Sequence, residues 1–112
     1  MIVRLVRLKF APEDVQTFLD FYALSEEAIR GQEGCLSLSL LRETGDPAAF
    51  ATWSTWRSSR DLQRYRRSSF FRDFWPTVKA LLREPADAVS YDEISGDAIP
   101  AGSALLQEHD AQ

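Results

Sequence analysis

The sequence has 112 residues, which sets the expectation of one domain burying roughly two-thirds of its unfolded surface. Hydrophobic residues make up 45% of it, too many for a disordered chain, and a net charge of −4 opposes a general nucleic-acid role. Its single cysteine, Cys35, supports neither a disulfide framework nor a cysteine metal cluster, no apolar run approaches a membrane span, and MIVRLVRLKF alternates charge unlike a signal peptide, so a cytoplasmic setting without membrane contact is expected.

Ile2 to Phe10 reads as a strand rich in aliphatic residues, with neither face cleanly polar, so both sides of its sheet should be partly covered. Ala11-Pro12-Glu13-Asp14 opens a helix, because proline suits the first helical position and acids suit the positive end of the dipole. Val15, Phe18, Leu19, Tyr22 and Ile29 continue it at helical spacing, and Gly31 is the expected left-handed stop.

Leu36-Ser37-Leu38-Ser39-Leu40 alternates strictly and predicts a strand with its three leucines on one face. Thr44-Gly45-Asp46-Pro47 predicts a turn, and Phe50 to Trp56 the returning strand of a hairpin. Ser58 or Ser59 should cap a short second helical piece, with Asp61 meeting its free amides. Ser68-Ser69 looks like a fresh cap for Phe71, Phe74, Trp75, Val78, Leu81 and Leu82, with a kink or restart expected near Trp75 because of Pro76. Val89 to Ile94 is the last predicted strand.

The order βαββαβ predicts an α+β, ferredoxin-like sandwich with both helical layers on one face of a four-stranded antiparallel sheet. The bare face should carry apolar side chains and form a homodimer, sheet against sheet. Arg57, Arg60, Arg64, Arg66, Arg67 and Arg72 cluster in one stretch with only Asp61 as counter-charge. A solvated helix face is the simpler reading of that run, and no nucleic-acid binding is expected.

These segments resemble the antibiotic biosynthesis monooxygenase domain family. The likeness rests on KFAPEDVQTFLDFY, the strand GCLSLSLLRE, FATWSTW followed by SSRDLQRYRRSSFFRDFWPTVKALL, and the closing VSYDEI. It covers roughly residues 1–95 and leaves 96–112 as a C-terminal tail, flexible or packed on a partner subunit. The resemblance implies a dimeric α+β barrel with a pocket between helices and sheet in each subunit. Some such relatives oxidise phenols or quinols with molecular oxygen and no metal or flavin, others bind and degrade haem, and many have no assigned activity.

Haem-degrading relatives place an asparagine on the first strand, with a tryptophan and an axial histidine ten residues apart in the second helical region. This sequence contains no asparagine, and those last two positions fall on Tyr65 and Trp75. An indole offers iron no lone pair of the imidazole kind, so haem degradation is excluded by the residues. Other relatives carry a histidine where Phe70 stands here. The one histidine, His109, lies in the tail, and no histidine–cysteine–carboxylate cluster has metal spacing.

What remains is a cofactor-free monooxygenase acting on a small aromatic phenol or quinol. Tyr65 and Arg4 are the catalytic candidates, with Arg7 a further cation on the same strand. Tyr22, Trp53, Trp56, Phe70 and Phe74 are the substrate-binding candidates. No metal and no cofactor is expected. Aromatic residues at helical spacing are more often core than ligand wall, so the alternative is a catalytically silent dimeric module that binds a small hydrophobic ligand.

Overall fold

Alternation along a strand sends neighbouring side chains to opposite faces, and cross-strand pairing extends that division over a whole sheet. In the computed structural model, which describes residues 1–98, strand β1 (Ile2–Lys9) sits at the centre of such a sheet. The order along the chain is β1, α1 (Val15–Arg30), β2 (Cys35–Arg42), β3 (Ala49–Trp56), α2 (Ser59–Arg66), α3 (Ser69–Leu81) and β4 (Asp87–Asp92). All pairings are antiparallel and the strands lie in the order β2-β3-β1-β4, the ferredoxin-like arrangement.

Register assigns the faces. Ile2, Arg4, Val6 and Leu8 lie opposite Trp56, Ser54, Thr52 and Phe50. Leu8, Phe50 and Trp56 belong to one core cluster with Phe18 and Tyr22 of α1, Leu62 and Tyr65 of α2, and Phe74 and Val78 of α3. These residues therefore define the helix-covered face. Phe10 stacks on Phe18 at 4.3 Å, and both rings are fully buried, each contributing about 1.5–3 kcal/mol. Val3, Leu5, Arg7 and Lys9 project to the other face. There Leu5 lies between Trp53 and Val89, and Leu41 and Tyr91 add further exposed apolar surface.

The two short helices begin as their sequences predict. Ser58 Oγ accepts from the Asp61 amide at 3.2 Å, and Ser68 Oγ accepts from the Phe71 amide at 3.1 Å.

Three expectations need correction. Gly31 is right-handed, at φ −77°, and the left-handed residue is Gly34, at φ +84°. Helix α3 runs through Pro76 without a restart. Pro76 and Arg72, whose carbonyl loses its partner, both face solvent, so water can satisfy that oxygen. Finally, a bulge at Leu36 breaks the strict alternation of β2: Cys35 pairs with Trp56 and Ser37 with Thr55. Cys35, and not Leu36, consequently packs on the core beside Leu38 and Leu40. The tail expected over 96–112, including His109, falls almost wholly outside the described residues.

Candidate functional site

The helix layer does not sit flush on the sheet. Between them lies a cavity of about 280 Å³, near the lower edge of small-molecule pockets, which run roughly 300–1,000 Å³. Its floor comes from alternate residues of the central strands: Arg4, Val6 and Leu8 of β1 with Thr52, Ser54 and Trp56 of β3. Tyr22 of α1, Tyr65 and Arg66 of α2, and Phe71, Phe74, Trp75 and Val78 of α3 close it from above, with Ala88 of β4 at its edge.

Tyr22 supplies the site's most specific polar feature. The residue is 3% exposed, and its hydroxyl is buried with no hydrogen-bond partner among the described residues. Leaving such a group unpaired costs about 1–3 kcal/mol. Burial, with a smaller contribution from Glu26, pushes its pKa up to about 12, so it is a neutral donor at physiological pH.

Tyr65 is positioned by rings. It stacks on Trp56 at 5.1 Å and meets Phe71 edge-on at 5.0 Å. The Trp56 indole is itself held by its Nε1, which donates to Ser54 Oγ at 3.0 Å. Burial raises the Tyr65 phenol well above its ordinary pKa, so it too stays protonated.

Arg4 is half-buried, and its Nη1 donates to Ser90 Oγ at 3.0 Å. Burial first, and then the charge of Arg66, draw its pKa below the ordinary arginine value, although the group stays charged. No carboxylate or imidazole lines the cavity.

Of the substrate-binding candidates, Tyr22, Trp56 and Phe74 line this cavity and Trp53 and Phe70 do not. Trp53 is on the opposite face of the sheet, 37% exposed, because it sits three residues from the inward Trp56. Phe70 packs outside the lining, stacked on Phe74 at 5.5 Å. Both catalytic candidates, Tyr65 and Arg4, reach the cavity, whereas Arg7 points to the open face. Sequence reasoning missed Arg66, which it placed on a solvated face, and Trp75, which it placed in the core. Trp75 is half-buried and stacks on Phe71 at 6.1 Å.

The rest of the arginine run is partly accounted for by Asp61, a carboxylate only 2% exposed. Arg57 donates to it through Nε at 2.8 Å and Nη2 at 3.1 Å, and Arg64 through Nη1 at 2.8 Å. Hydrogen bonds from Arg57 are the main reason its pKa falls below the usual carboxylate value. Cys35 does not line the cavity, and burial pushes its thiol up, away from nucleophilic form. Among the described residues no group of three or more histidine, cysteine or acidic side chains could hold a metal, and no helix is long and apolar enough to cross a membrane.

A family model described as antibiotic biosynthesis monooxygenase matches residues 1–76. No curated protein matches the sequence. Among solved structures, an antibiotic biosynthesis monooxygenase superposes with a TM-score of 0.79 at 22% identity, over 85% of this chain and 100% of the other. The Mycobacterium tuberculosis protein Rv0793 gives 0.77 at 19% identity, over 86% and 97%. A Nitrosomonas europaea protein of unknown function gives 0.75 at 18%, over 90% and 95%. At such identities the structural likeness speaks for the fold.

Proposed function

Because the chain belongs to the antibiotic biosynthesis monooxygenase family, we propose that it oxidises a small aromatic phenol or quinol with molecular oxygen, using no metal or flavin. The observation that carries this reading is an apolar, ring-lined cavity whose wall also includes the neutral phenols Tyr22 and Tyr65 and the Arg4 guanidinium. A ligand ring would lie among Trp56, Phe74 and Tyr65, and one of its oxygens would satisfy Tyr22.

The chemistry starts with the ring as an oxygen anion. It gives one electron to oxygen, the two radicals join as a hydroperoxide at a ring carbon, and loss of water leaves a carbonyl. For a hydroquinone the products are a hydroxyquinone and water: one oxygen atom enters the ring and the other leaves with the two substrate hydrogens. The protein's part is to favour the anion and exclude bulk water. Arg4 supplies the positive charge and Tyr22 and Tyr65 the neutral donors, in surroundings where charge interactions are strong.

The homodimer belongs to the same reading. Leu5, Leu41, Trp53, Val89 and Tyr91 make an apolar patch on the face that the helices leave bare, and a second copy would cover it.

One observation favours a second reading. Both cavity tyrosines are held protonated and no other lining group can accept a proton near neutral pH. A binding module without catalysis has no need of a base. Oxygen uptake across a panel of hydroquinones decides between the two, with Tyr65→Phe and Arg4→Ala beside wild type. Turnover that falls in the variants supports the oxygenase. Binding without turnover across the panel leaves the module.

A further inference from the structure

The positive charge in the cavity exceeds what a transient phenolate requires. Two guanidinium groups, Arg4 and Arg66, line it. Elsewhere in the fold Arg30 pairs with Glu26 and Glu27, Arg57 with Glu33 and Asp61, and Arg64 with the same two acids, while Arg42 lies over the Phe50 ring and Arg72 donates to the Arg67 carbonyl. Among the described residues no carboxylate lies within 4.0 Å of Arg4 or Arg66. Arg7, Arg66 and Arg67 are exposed to water, but Arg4 is half-buried beside an apolar space that Arg66 also lines. Burial, and then the charge of Arg66, lower the basicity of Arg4. Two uncompensated cations at one end of an apolar cavity are stabilised by an anion placed between them and the rings.

We infer that the cavity takes an aromatic carboxylic acid, its carboxylate held by Arg4 and Arg66 and its ring system against Trp56 and Tyr65. This rests on the reading of the cavity as the ligand site and adds the class of ligand. A carboxylate suits the pair better than a phenolate oxygen, because it is ionised throughout the physiological range and presents two oxygens to guanidinium donors. The ring's own hydroxyl is then free to reach Tyr22.

Binding of 2-naphthoate and 2-naphthamide, matched in size and differing in charge, tests the assignment by calorimetry on wild type, Arg66→Gln and Arg4→Gln. Arg66 is exposed, so its replacement should leave the fold intact even if Arg4→Gln does not. Wild type should bind the acid at least about tenfold more tightly than the amide, and the preference should shrink with added salt. In Arg66→Gln it should fall to about twofold while amide affinity is retained. Equal binding of acid and amide by wild type, or a preference that survives in both variants, overturns the inference. Hydroquinone turnover separates the two claims. Acid preference without turnover supports the arginine clamp and removes the oxygenase. Turnover without acid preference does the reverse, and failure of either naphthalene to bind overturns the ligand site itself.

Discussion

The Tyr65 ring lies on the Trp56 indole with centroids 5.1 Å apart and planes 21° from parallel. This stack joins α2 to β3 and holds Tyr65 in the lining of the cavity. Truncating the ring and removing its oxygen should therefore have separable effects. Tyr65→Ala should cost about 3–5 kcal/mol of stability, as large aromatic truncations in cores do. Tyr65→Phe keeps the stack and should stay within about 1 kcal/mol of wild type while lowering turnover. Chemical denaturation of both variants checks the first effect, and oxygen uptake by Tyr65→Phe the second.

Tyr22 should show opposite signs for stability and for binding. Its hydroxyl is buried without a partner, so Tyr22→Phe should stabilise the unliganded protein by about 1 kcal/mol or more. The same change removes the donor to a ligand oxygen and should weaken hydroquinone binding by about five- to tenfold. Thermal melts with and without ligand measure both. If Tyr22→Phe loses stability and binds ligand normally, the hydroxyl has a partner other than the ligand.

Gly34 and Asp61 pack too closely for any side chain. A Cβ at Gly34 would sit 2.3 Å from Asp61 Cγ, and the backbone there has φ +84°. Gly34→Ala should cost more than about 2 kcal/mol, since the left-handed conformation alone costs roughly 1–2 kcal/mol. Asp61 also predicts a pH dependence. Its folded pKa is depressed, so its contribution is present above the unfolded carboxylate value of about 3.9 and is lost as pH falls through the folded pKa. The melting-temperature gap between wild type and Asp61→Asn should be full at pH 7 and close progressively below about pH 4.

The open sheet face gives a prediction about assembly. Trp53 is the largest side chain in a row with Leu5 and Val89. Trp53→Arg should weaken self-association by at least about thirtyfold, the scale of a 2 kcal/mol interface residue, without disturbing the cavity on the other face. Sedimentation at several protein concentrations reads this directly. A variant that sediments as wild type does would place the interface elsewhere.

The order of elements along the chain, the hairpin and the caps at Ser58 and Ser68 were legible because each depends on local periodicity or on a side chain bonding its own helix start. What was not legible depends on tertiary packing. Trp53 and Trp56 are three residues apart and so must face opposite ways, but only pairing with β1 decides which is inward. The bulge at Leu36 is a backbone event, invisible in a perfect leucine–serine alternation. Pro76 looked like a break because its exposed setting could not be known. Arg66 looked like any other member of a basic run, since only the packing of α2 over the sheet brings it, alone of that run, to the cavity wall.

Aromatic substrates should be oxidised inside the cavity between helices and sheet. Ala88 lines that cavity from an exposed edge strand, so Ala88→Trp can obstruct it while Tyr22, Tyr65 and Arg4 are all retained. Oxygen consumption with 1,4-dihydroxynaphthalene, corrected for spontaneous oxidation, is the most direct measurement. Wild type should turn over, with at least about a tenfold loss in folded Ala88→Trp. Wild-type rates no faster than the spontaneous reaction, or full activity with the cavity obstructed, would contradict it.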